Sequence, residues 1–94
     1  MIILQIEHKV PNFDGWKKAF DEDPIDRKKS GVQRYRIYRK ADDPNYVIVD
    51  LEFNKMNEAE SVLSSLLNLW GRVEGKVMVN PQTRILKIVE RKEY

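Results

Sequence analysis

The spacing of apolar residues switches from every second position to every third or fourth and back again, twice within 94 residues. Few folds accommodate that succession. From residue 2 to residue 10 the alternation is strict. Ile2, Leu4, Ile6, His8 and Val10 point one way, and Ile3, Gln5, Glu7 and Lys9 the other, as in a half-buried strand. Pro11 and Asn12 end it. Phe13, Trp16 and Phe20 then fall at helical spacing, with Asn12 or Asp14 placed to accept from the first-turn amides. Pro24 lacks a donor and would clash with a preceding turn. The helix is therefore expected as a kinked pair, 13–22 and 24–30, with Asp23 as the second N-cap and Gly31 past the last turn.

Val32–Arg39 and Tyr46–Phe53 read as the two strands of a hairpin around the turn-forming run Ala41-Asp42-Asp43-Pro44-Asn45. Asn57 and Glu60 have the spacing of a capping box. Met56, Ala59, Val62, Leu63, Leu66, Leu67 and Trp70 make one apolar stripe, and Gly71 stops the helix. Arg72–Gln82 is expected to be irregular, with Gly75 and Pro81 as breakers and Val77-Met78-Val79 as a short extended piece. Thr83–Arg91 is the last strand. The order β-α-β-β-α-β is the ferredoxin-like α+β arrangement, a four-stranded antiparallel sheet with both helices on one face, filling residues 1–94 as one domain.

Composition narrows the function. Lys and Arg number 17 against 15 Asp and Glu, a net charge of +2, so the chain is no basic nucleic-acid binder. The absence of cysteine excludes disulfides, thiolate nucleophiles and cysteine metal sites. A single histidine leaves no basis for a His-rich metal site, so no metal is expected. Nor does any cofactor-binding motif appear. Gly71-Arg72-Val73-Glu74-Gly75-Lys76 is one residue short between its glycines and continues with Val77 where a phosphate loop needs Ser or Thr. The N-terminus lacks a basic start, and no apolar run approaches the roughly 20 residues that span a bilayer. The expected setting is cytoplasmic, with no membrane partner.

Parity divides the sheet into two faces. The helix-covered face is expected to hold Leu4, Ile6, Val10, Tyr35, Ile37, Val47, Val49, Leu51, Phe53, Leu86 and Ile88. The other carries Gln5, Glu7, Arg34, Arg36, Tyr38, Asp50, Glu52, Lys87 and Arg91, with Ile3, Ile48, Ile85 and Val89 among them. Both charge signs are spaced for cross-strand pairs. Such a face is either solvated or paired with a second copy, and the interspersed aliphatics favour a partly covered surface. RNA-binding modules of this topology stack bases on two or three sheet aromatics. Here only Tyr38 clearly points outward, beside acidic residues, which again speaks against nucleic acid.

His8 is the one side chain that could act as a base near neutrality without a large shift. It stands on the apolar side of the first strand, where it is either a hydrogen-bonded core residue or a group on the wall of a pocket. Trp16 and Trp70 are candidates for an aromatic pocket lining, or simply core. Asn68 is a candidate donor to a polar ligand group, Tyr35 a candidate for orienting a ligand, and Arg27 and Tyr38 have lesser claims.

His8 at the end of the first strand, Asn12-Phe13-Asp14-Gly15-Trp16-Lys17 and Phe20-Asp21 opening the first helix, then Arg27, Gly31, Tyr38-Arg39, Asp42-Asp43-Pro44-Asn45 and Val47 form a recognisable set. On these residues the chain resembles the dimeric α+β barrel superfamily, which includes the antibiotic-biosynthesis-monooxygenase-like proteins. The similarity is greatest to its small, uncharacterised members and extends over almost the whole chain. The resemblance implies a homodimer in which two sheets pack face to face, and a small-molecule pocket between the helices and each subunit's own sheet. It also implies a range of activities, from cofactor-independent monooxygenases and isomerases, for which His8 would be the base, to members without known activity. Of the Asn, Trp and His set of the haem-degrading members, Asn68 and Trp70 have counterparts in the second helix, and no histidine follows position 8. A non-catalytic dimerisation module is the third reading.

Overall fold

The computed structural model describes residues 1–73 and 79–94. Its elements run β1 (Ile2–Lys9), α1 (Phe13–Asp21), β2 (Val32–Lys40), β3 (Asp43–Phe53), α2 (Met56–Val73) and β4 (Val79–Lys87). The sheet order is β2-β3-β1-β4, with every neighbouring pair antiparallel. The ferredoxin-like α+β arrangement is therefore present, with β1 and β3 in the middle and the helices covering one face. Those two central strands supply the largest side chains with no exposed surface: Leu4, Val47 and Phe53.

Each element follows from local chemistry. Asn12 adopts an extended backbone and its side-chain oxygen accepts from the Gly15 amide at 2.9 Å, so the N-cap of α1 is Asn12 rather than Asp14. In α2 the buried positions are Ala59, Val62, Leu66 and Trp70, a stripe of three- and four-residue steps. Leu67 and Met56, expected in that stripe, are 57% and 44% exposed because they lie beyond its edges.

The expected helix over 24–30 is not formed. After α1 the chain passes through a series of turns, with Asp23 and Asp26 both in the left-handed region at φ 54° and 52°. Two such residues break the helical repeat. Asp23 still caps by side chain, accepting from the Arg27 amide at 2.9 Å, and the Ser30 hydroxyl donates to the Ile25 carbonyl at 2.7 Å. The hairpin also closes more tightly than expected. Only Ala41 and Asp42 lie outside the strands, because Asp43, Pro44 and Asn45 already belong to β3. No capping box forms at Asn57, since α2 begins one residue earlier.

The last strand departs most from the sequence reading. It starts at Val79 and ends at Lys87, so Pro81 lies inside it, on a sheet edge where a missing donor is tolerated. Its pairing with β1 sets Ile85 opposite Leu4 and Leu86 opposite Ile3. Directly opposed residues share a face, so Ile85 packs on the core while Leu86 looks out at 40% exposure. The expected parity of this strand is thus inverted, and Lys87, opposite buried Ile2, leaves the open face. Ile88, expected on the covered face, instead lies with Ile3 and Glu52 on the open one. The expected extended piece at Val77-Met78 and the breaker at Gly75 lie outside the described residues.

On the open face, Arg84 donates to both Gln5 and Glu7, Gln5 donates to Asp50 at 2.9 Å, and Tyr38 donates to Asp50 at 2.8 Å. Tyr46 lies on the same face, its hydroxyl 3.1 Å from Glu7 as donor, so two tyrosines rather than one point outward. Arg84, hydrogen-bonded to Glu7, holds that carboxyl below its ordinary 4.5, with Tyr46 assisting and burial opposing.

Candidate functional site

Between the helices and the sheet lies a cavity of about 240 Å³. Its floor is Ile6, His8, Val49 and Leu51 from β1 and β3. One wall is Trp16, Ala19 and Phe20 of α1, and the other is Leu66, Leu69 and Trp70 of α2. Glu22, Pro24, Ile25 and Arg27, from the turns that follow α1, close the rim. α1 is nine residues long, and the non-helical segment that follows it closes the rim that the two helices leave open.

The aromatic groups are arrayed in a row. The His8 ring meets Trp16 edge-on at a centroid distance of 5.8 Å, Trp16 lies 5.2 Å from Phe20, and Phe20 meets Tyr35 edge-on at 5.1 Å. Over Phe20 stands Arg27, its guanidinium carbon 3.9 Å from the ring centroid.

His8 is 2% exposed, and its Nδ1 lies 3.2 Å from the Lys9 carbonyl oxygen. A carbonyl can only accept, so Nδ1 carries the hydrogen and the neutral ring keeps its lone pair on Nε2. Burial lowers the imidazole below its ordinary 6.5, with the Lys9 bond pulling weakly the other way. At neutral pH His8 is thus an uncharged ring with one defined tautomer. Its burial and backbone bond give it a packing role, whatever else it does on the cavity wall.

Of the other residues singled out from the sequence, Trp16 and Trp70 line the cavity beside His8. Tyr35 does not line it. It is 45% exposed on edge strand β2 and reaches the site through Phe20 and Arg27. Asn68 is exposed on α2 and takes no part in the wall, because it is two residues from both Leu66 and Trp70 and so falls on the opposite side of the helix. Ala19, Leu69, Ile25 and the closeness of Arg27 were not foreseen. Leu69 adjoins the buried stripe, and Ile25 is the one aliphatic in an acidic run, which were the available signals. Among the described residues no group of three or more His, Cys, Asp or Glu is placed to hold a metal ion. No helix of the described residues is long and apolar enough to cross a membrane.

No family model matches the sequence, and the search of curated proteins found no match. Solved structures do match. A cofactor-independent oxygenase from Streptomyces nogalater, SnoaB, superposes with a TM-score of 0.75 at 10% identity, over 96% of this chain and 94% of that one. A proposed antibiotic biosynthesis monooxygenase from Nitrosomonas europaea gives 0.62 at 16% identity, over 96% and 100%. A dimeric ferredoxin-like protein from an uncultured marine organism gives 0.64 at 12% identity, over 97% of each chain. Similarity at these identities is a similarity of fold.

Proposed function

Because the chain has the antibiotic-biosynthesis-monooxygenase-like fold, we propose that it binds a small, mostly apolar aromatic molecule in the cavity between helices and sheet, and that it does so as a homodimer. The observation that carries the binding reading is the cavity itself. Its wall is aliphatic and aromatic apart from His8, Glu22 and Arg27. A cavity of roughly 150 Å³ accommodates benzene, so about 240 Å³ suits a molecule of one or two rings. That is below the roughly 300 Å³ at which drug-sized sites begin.

Both tryptophans of the chain line this cavity, so each indole N–H is a reporter. Titration with 2-naphthamide, followed by amide and indole correlation spectra, is expected to shift both indole resonances. Replacing Ala19 by Phe, which fills the space from α1, should abolish the shifts while leaving the rest of the spectrum in place. Indole resonances unmoved up to the solubility limit would sink the reading.

The homodimer reading rests on the sheet face that the helices leave uncovered. The open sheet face offers Ile3, Ile48 and Leu86 among its charged network.

A second reading, a cofactor-independent oxygenase or isomerase with His8 as base, draws on the fixed tautomer, whose lone pair lies on Nε2. Turnover of a hydroxyaromatic, followed by oxygen uptake or product chromatography, should then vanish in His8→Ala while binding persists. Loss of binding and turnover together would leave His8 a packing residue.

A further inference from the structure

Arg27 is the cationic group on the cavity rim. Its side chain is only 15% exposed. Three contacts clamp it. Nη1 donates to the Phe20 carbonyl at 2.9 Å, Nε lies 3.6 Å from the Asp23 carboxylate, and the guanidinium face covers Phe20. Tyr35 flanks it at 5.1 Å. The guanidinium has five donor hydrogens, and among the described residues its one side-chain hydrogen bond is that to Phe20. A cation fixed in place, half desolvated by aromatic rings and with donors in excess is suited to an oxyanion, which its planar fork meets with two parallel bonds.

Asp23 already partners Arg27, and Glu22 shares the rim. Both carboxylates are more open to water than Arg27, Asp23 at 35% and Glu22 exposed outright. Solvent therefore screens them more strongly than it screens a guanidinium against a ligand inside the cavity. Position matters as well. Arg27 and His8 stand at opposite ends of the row His8–Trp16–Phe20–Arg27, so a ligand lying along Trp16 and Phe20 brings one end to the guanidinium.

Resting on the binding reading above, we infer that the cavity selects aromatic anions: Arg27 holds an anionic oxygen on a one- or two-ring body whose ring lies along Trp16 and Phe20. Arg27 is in this account a specificity residue. The test compares 2-naphthoate with its neutral isostere 2-naphthamide and with 2-naphthylmethylammonium, by indole-shift titration of the full chain at pH 7.5. Wild type should bind the naphthoate about tenfold more tightly than the amide, the worth of one charge-assisted hydrogen bond. The ammonium should bind weakest. Arg27→Gln should erase the preference, Arg27→Lys should keep part of it, and Glu22→Gln should increase it. Equal affinity for naphthoate and amide in wild type, or a preference that survives Arg27→Gln, overturns the inference while the binding reading stands. Failure of all three compounds to bind overturns both. If Arg27→Gln does not fold, the wild-type comparison and Arg27→Lys decide.

Discussion

His8 shows how one side chain connects the fold to pH. Its imidazole lies below the ordinary 6.5 because charging it would place a cation inside the core. The unfolded chain therefore binds more protons than the folded one between the folded value and 6.5, and stability rises with pH across that window. His8 contributes fully above 6.5, and the contribution is lost as pH falls toward the folded value. Thermal melts of wild type and His8→Asn between pH 8 and pH 5 should converge on acidification, since only wild type has this proton to take up. Melting temperatures that fall in parallel would exclude the buried imidazole as the cause. Phe53 is a simpler case. It has no exposed surface, and truncating it to Ala is expected to cost about 3–5 kcal/mol in denaturant unfolding.

At the scale of elements, the segment between α1 and β2 shows the most deviation from regular structure and closes the cavity. Gly31 ends it at φ 103°, where a side chain is strained whatever the space, and a Cβ there would come within 2.6 Å of a Glu58 carboxylate oxygen. Glu58 stands in the first turn of α2, and among the described residues no donor reaches its buried Oε1. The Glu58 carboxylate thus lies close against the Gly31 backbone, one residue ahead of β2. Gly31→Ala should destabilise by about 1–3 kcal/mol. Adding Glu58→Ala should recover the steric part and leave the part due to φ, a split measurable by a double-mutant cycle. Full recovery would show that the backbone conformation costs nothing.

The whole molecule measures 34 × 33 × 19 Å, a slab one helix layer and one sheet layer thick. A slab of that shape leaves one sheet face to water or to a partner. The network of Arg84, Glu7, Gln5, Asp50 and Tyr38 spans that face, and Arg84 is its hub on the edge strand. Light scattering at low micromolar protein should return twice 11.2 kDa. Arg84→Glu places a third carboxylate beside Glu7 and Asp50 and should shift the mass toward the monomer without unfolding the chain. A wild-type monomer would remove the homodimer reading and leave the cavity reading untouched.

The order of elements, the apolar face of β1, an N-cap at Asn12 or Asp14 and the aromatic row of α1 were all legible in the sequence. Each depends on residues within one turn or one strand of one another, where periodicity and capping chemistry suffice. The helix expected over 24–30 failed for a different reason. Pro24 and Asp23 are compatible with a helix start, but Asp23 and Asp26 adopt the left-handed region, in turns closed by the Arg27 amide on the Asp23 side chain and by the Asp26 and Ser30 amides on the Asp23 and Asp26 carbonyls. The face assignment of β4 failed because alternating Ile85, Leu86 and Ile88 are apolar in both parities, leaving the Leu4–Ile85 pairing to decide. Asn68 and Tyr35 fell outside the cavity, and Arg27 came to its rim, by the same logic. Local chemistry determined which elements this chain forms. Which side chains meet across the cavity was decided by strand register and by the path of ten residues between α1 and β2, since those contacts join positions far apart in the chain.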